Sequence, residues 1–160
     1  MKRFKFGFLI LLFLVLACKK DKTKTVKPIE IIFEKEAELY FIQGEDTIKT
    51  IDLELAESDY EQQTGLMHRA SMEMNQGMLF IYQDERPRPT FYMKNTQIPL
   101  DLIYINADKK IVEINKNAKP YDENSIQAEQ PAQYVLEVNA GFVEKFKIND
   151  SLKVDFKISK

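Results

Sequence analysis

A mainly β (α+β) fold, with one compact barrel- or sandwich-like antiparallel sheet and two short helices, is what the sequence predicts, on three observations. Ile51, Leu53 and Leu55 alternate with Thr50, Asp52 and Glu54, and Leu152, Val154, Phe156 and Ile158 alternate with Lys153, Asp155 and Lys157. That period of two is the mark of a strand with one wet face. The runs 77–82, 100–105 and 134–138 are almost continuously apolar, as strands covered on both faces are, and these belong at the centre of the sheet. Helical signals are confined to two segments of one or two turns.

A first hairpin pairs residues 37–42 with 47–55 around Gly44-Glu45-Asp46. Ser58-Asp59-Tyr60-Glu61 then fits a capping box, in which the serine hydroxyl accepts from the N3 amide and the glutamate returns to the N-cap amide, and Gly65 ends that helix. After the apolar run 77–82, Pro87 and Pro89 predict an extended loop over 84–90. Residues 90–93 read as a further strand, Lys94-Asn95-Thr96 as a turn, and Ile98-Pro99 as a straight entry to the strand from Leu100. Asn106-Ala107-Asp108-Lys109-Lys110 joins two apolar runs as a second hairpin, and 116–131 is a polar connection with no period. Phe142 to Phe146 reads as the second helix, ahead of the last strand.

The start of the chain is of another kind. Lys2, Arg3 and Lys5 precede an uninterrupted apolar run over 8–16, and Val15-Leu16-Ala17-Cys18 closes it. A membrane-spanning helix needs about 17 to 25 apolar residues, more than this run offers. The segment resembles a bacterial lipoprotein signal, which implies cleavage before Cys18 and attachment of acyl chains such as palmitate to it. Residues 1–17 are then the signal peptide, 18–28 the acylated cysteine with a Lys-rich tether, and 29–160 the β-rich domain. Lys19, where an aspartate would hold a lipoprotein at the inner membrane, favours the outer membrane of the cell envelope.

Composition narrows the function. Cys18 is the only cysteine, so the domain has no thiol for a disulfide, a thiolate metal site or a nucleophile. Loss of Lys2, Arg3 and Lys5 with the signal moves the formal net charge from -2 to -5, a balance that speaks against a nucleic-acid partner. His68 is the only histidine and no calcium-type loop is present, so no metal is expected. Five glycines in all, with no phosphate-cradling loop, leave no cofactor to expect.

Four ordered strings carry a resemblance: Gly65-Leu66-Met67-His68-Arg69, Gly77-Met78-Leu79-Phe80, Met93-Lys94-Asn95-Thr96-Gln97-Ile98-Pro99-Leu100-Asp101, and Tyr134-Val135-Leu136-Glu137 before Ala140-Gly141. Over about Leu53 to Ile158 the chain resembles the DUF192 family. The resemblance implies a small exported or membrane-anchored protein with a β-rich fold and no established activity. Members usually carry tryptophan where this chain has Tyr92, and many have cysteines before the position of Tyr134, where this chain has none.

The polar residues of these strings define a candidate site. Lys94 and Asn95 sit at a turn, Asp101 enters the next strand, Arg69 arrives from the loop after the first helix, and Tyr92 offers a ring for stacking. Together they would grip a small polar or anionic ligand, since guanidinium and ammonium groups pair with anions while Asn and Asp select orientation. The same residues also suit a purely structural role, with Asn95 and Thr96 capping the turn and Asp101 pairing with Lys94 or Arg69. Three functions follow from different classes. One is a noncatalytic envelope module that binds a small ligand or an envelope protein partner through Arg69, Tyr92, Lys94, Asn95 and Asp101. Another is a hydrolase or transferase using Asp101 with Lys94 or Arg69. The third is a purely structural lipoprotein moored through Cys18. His68 could serve as general base to Ser71 or Thr96, but a triad needs three placed partners and a lone histidine beside a helix end is more often a surface or packing residue, so no complete catalytic set is visible.

Overall fold

The computed structural model describes residues 31–88 and 90–159. The leader, Cys18 and the Lys-rich tether lie outside the described residues. Local chemistry sets the elements where the sequence places them. The strands are β1 (Ala37–Gln43), β2 (Asp46–Ala56), β3 (Gln76–Pro87), β4 (Leu100–Ile105), β5 (Ile111–Ala118), β6 (Pro131–Asn139) and β7 (Lys153–Ile158). The helices are α1 (Asp59–Thr64) and α2 (Phe142–Lys145). The capping box at Ser58 is formed in full, and Gly65 closes α1 with a positive φ of 47°.

The strands form one sheet in the order β5-β4-β6-β3-β2-β1-β7, so the three apolar runs lie side by side at its middle. Its pairs are antiparallel except β2 with β3, which run parallel. Parallel neighbours need a crossover of a dozen or more residues, and residues 57–75 with α1 supply it. Gly77 admits β3 to its place, since a Cβ there would lie 2.8 Å from the Glu137 carbonyl oxygen of β6. The sheet curls into a half-barrel. At one end its edges meet: Lys110 bridges Lys153, and the Val154 amide donates to the Lys109 carbonyl at 2.8 Å.

Alternation along β3, β4 and β6 divides their apolar residues between two cores. Leu79, Ile103 and Leu136 point into the barrel with Leu39, Phe41 and Leu53, where Phe142 of α2 stacks on Phe41 at 5.7 Å between ring centroids. Met78, Phe80, Leu102, Tyr104 and Val135 face outward beneath a second layer that contributes Leu66 and Met93. Each fully buried large side chain contributes about 2 kcal/mol.

Two expectations are corrected. β3 does not stop near Tyr82: after an irregularity it pairs again, Arg86 with Ala132 and Pro87 with Pro131. Proline is tolerated there because the ladder is ending. Residues 90–93 make one isolated bridge, Phe91 with Ile126, instead of a strand. They pair with the connection between β5 and β6 and not with the sheet.

Candidate functional site

The two connections that cover the outer core are sewn to each other through their backbones. Phe91 and Ile126 exchange amide bonds at 3.0 and 2.8 Å, the Met93 amide donates to the Asp122 carbonyl at 2.8 Å, and the Tyr121 amide donates to that of Thr96 at 3.1 Å. Phe91 meets Phe80 edge-on at 5.2 Å and Tyr104 at 6.2 Å. On the other side stand α1 and its exit, joined to the first layer where the His68 amide donates to the Asn95 carbonyl at 2.8 Å.

Between these two walls lies a cavity of about 250 Å³. Its base is made by the buried residues Phe80, Leu66, Thr96 and Glu137, and its mouth by the more exposed Tyr92, Thr90 and Gln63. Tyr82, Phe91 and Gly65 stand between. Gly65 keeps the space open: a Cβ there would lie 3.1 Å from Phe80 Cζ and 3.7 Å from Glu137 Oε2.

Glu137 is the chemically unusual member. Register places it in a row between Met78 of β3 and Leu102 of β4, both apolar. It is 7% exposed, and among the described residues its carboxyl has neither an ion-pair nor a hydrogen-bond partner. Burial pushes that carboxyl up to about 8, because an uncompensated charge is disfavoured away from water. At neutral pH it is mostly a carboxylic acid, able to donate a hydrogen bond. Burial likewise raises the Tyr82 and Tyr104 hydroxyls to about 12.

Of the candidate ligand residues Arg69, Tyr92, Lys94, Asn95 and Asp101, only Tyr92 lines this cavity, together with Thr96 of the neighbouring turn. Arg69 is buried and paired with Glu54, whose other oxygen accepts the Glu34 amide at 2.9 Å. Asp101 is fully buried on the barrel side, where its oxygens accept the Asn117 amide at 2.9 Å and the Val143 amide at 3.1 Å. Lys94 and Asn95 are exposed on a turn closed by the Thr96 amide on the Met93 carbonyl at 3.0 Å. Asn95 takes a positive φ of 59° there, a conformation asparagine tolerates. The structure therefore does not gather Arg69, Lys94, Asn95 and Asp101 around one point. Asp101 pairs with neither Lys94 nor Arg69 but with two backbone amides. His68 is exposed at a positive φ of 64°.

Glu137 was legible in principle. A strand covered on both faces that contains a carboxylate must bury it, and 134–138 is such a run.

Comparison with known proteins agrees with the fold. The sequence profile of DUF192, described as "Uncharacterized ACR", matches residues 40–156. A crystal structure of a protein from Sinorhizobium meliloti 1021, named a candidate transcription regulator, is 34% identical, with a TM-score of 0.72 over 79% of this chain and 97% of that one. A protein of unknown function from Novosphingobium aromaticivorans DSM 12444 is also 34% identical, with a TM-score of 0.66 over 75% of this chain and 83% of that one. No curated protein matches the chain.

Proposed function

The chain belongs to the DUF192 family, and from that premise we propose that it is a cell-envelope lipoprotein whose domain binds a small polar ligand in the cleft above Glu137 without transforming it. The observation that carries this reading is the buried, partnerless Glu137 carboxyl at the base of an open, aromatic-walled cavity. Burial disfavours the charge of this carboxyl, and a ligand seated on Glu137 would supply a partner that the described residues do not.

Binding without turnover fits the inventory of the cleft. Apart from its tyrosines, Glu137 is the only ionisable group in the lining, and acid–base or nucleophilic catalysis needs a second placed group. The hydrolase or transferase reading draws no support from Asp101, which is committed to two amides. Mooring rests on the leader: Cys18 follows the apolar run directly and is the only cysteine. Delivery to the outer membrane through that anchor completes the proposal.

Saturation-transfer NMR of the full chain against a panel of small polar compounds tests the site. Signals that vanish in both Glu137→Gln and Tyr92→Ala support it, whereas signals that survive in both and vanish in Lys94→Ala move the site to the exposed turn. For the anchor, labelling with a fatty-acid analogue is expected to mark the wild type and not Cys18→Ser. An unlabelled wild type refutes lipidation.

A further inference from the structure

We infer that the cleft is built for a small organic cation, a protonated amine seated among Phe80, Tyr82, Phe91 and Tyr92 with Glu137 as its counter-ion. The inference rests on the reading of this cleft as a ligand site and adds the charge of the ligand.

Among the described residues, no Lys, Arg or His lines the cavity. An anion would therefore meet Glu137 with no cation to hold it, and the anionic ligand that the sequence allows does not suit this cleft. An ammonium group, by contrast, supplies the one thing the buried carboxyl lacks. Four aromatic rings line the same cavity. One face of Tyr82 already carries the Arg88 guanidinium, 4.2 Å from its centroid, and the negative faces of the other rings attract a cation that has left water. A cavity of about 250 Å³ has room for a compact head group and little more.

The approach is biased the same way. A second groove shares Gln62 and Tyr82 with the cleft and carries Glu57, Asp59 and Asp84, the last of them ion-paired with Arg86 and Arg88. Glu57 and Asp59 leave that groove net acidic, and a net acidic groove raises the local concentration of cations at its mouth.

The groups around Glu137 are few. β3 presents Met78 and Tyr82, with Arg88 over the Tyr82 ring, β4 presents Leu102 and Tyr104, with Glu113 of β5 near the latter, and the exit of α1 presents Gly65. Both tyrosines stay neutral well above physiological pH, being raised to about 12. Glu137 is thus the titrating group of the cleft near neutrality. When the ammonium enters, the Glu137 O–H proton leaves to solvent and the carboxylate that remains pairs with the cation.

Isothermal titration calorimetry of the full chain with butylammonium, 1-butanol and butyrate separates the charges at nearly constant shape. Butylammonium is expected to bind and the other two are not. At pH 7, paired buffers of different ionisation heat should report close to one proton released per cation bound. Affinity should rise by up to about tenfold per pH unit until Glu137 is ionised and then level off. Glu137→Gln should weaken binding by at least about tenfold, and Tyr92→Ala, at an exposed position that leaves the core untouched, by a smaller factor. If 1-butanol binds as well as butylammonium, and more weakly as pH rises, the cation inference falls while the ligand site stands. If butylammonium gives no heat at any attainable concentration, or binds Glu137→Gln and Tyr92→Ala as it binds the wild type, the inference is overturned. Polar compounds retained by both variants would remove the site itself.

Discussion

The Asp101 carboxylate accepts the backbone amide of Val143 at 3.1 Å across 42 residues of chain. Gly141, the N-cap of α2, has no side chain with which to cap, and Asp101 supplies from β4 the acceptor that a local Ser or Asp usually gives. Its second oxygen holds the Asn117 amide at the end of β5. One buried side chain thus ties the end of the barrel shut.

Asp101→Ala is expected to destabilise the domain by about 3 kcal/mol or more, because it leaves two backbone amides unpaired. Asp101→Asn keeps the side-chain oxygen and should cost less. Urea unfolding measures both, and hydrogen exchange at Val143 should accelerate in the alanine variant. Ligand binding in the Glu137 cleft should be retained by whatever fraction remains folded.

Arg69 and Glu54 make a second long-range commitment. Their side chains are 8% and 9% exposed, and removing one member leaves the other as a buried, uncompensated charge. Arg69→Met is expected to cost about 3 to 5 kcal/mol, and adding Glu54→Leu to it should recover most of that loss. A double-mutant cycle by chemical denaturation shows a large coupling if the pair acts as one unit.

Glu137 makes stability depend on pH with a definite sign. Its carboxyl is raised from an ordinary value of 4.5 to about 8, so between those limits the folded state keeps a proton that the unfolded chain has released. The contribution is fully present below about 4.5 and is lost as pH rises through about 8. The slope is about 1.4 kcal/mol per pH unit at most. Urea midpoints of wild type and Glu137→Gln should therefore diverge between about pH 5 and 8, the wild type falling relative to the variant.

Gly65→Ala addresses the opening of the cleft. The new methyl would press on Phe80 at 3.1 Å and face Glu137, at a residue whose φ of 47° already disfavours a side chain. A loss of about 1 kcal/mol in stability is expected from the backbone alone, together with weaker binding of any ligand that reaches Glu137. Thermal unfolding and a binding titration on the same sample separate the two effects.

What the sequence could reveal followed the range of the interactions involved. The capping box at Ser58, the turn at Asn95 and both hairpins depend on residues a few positions apart, and they form as the pattern predicts. The polar residues were visible, but their partners were not. Lys94-Asn95-Thr96 and Asp101 crowd together in the chain, and yet strand alternation turns Asp101 into the barrel while the turn stays on the outer layer. Glu137 lies in one of the strings shared with the family but stands between the apolar Leu136 and Val138, and nothing adjacent in the chain marks it as a site residue.

By itself, then, the sequence determined the class of fold, the central strands, the family resemblance and the expectation of a lipid anchor, because periodicity, caps and a leader are written in adjacent residues. Tertiary structure alone decided which carboxyl borders a cavity and which accept hydrogen bonds or ion pairs from distant donors. Asp101 and Glu54 find donors brought from distant parts of the chain, whereas among the described residues none is brought to Glu137. The free energy of a buried charge is set by what surrounds it in space, and its neighbours in sequence do not report that.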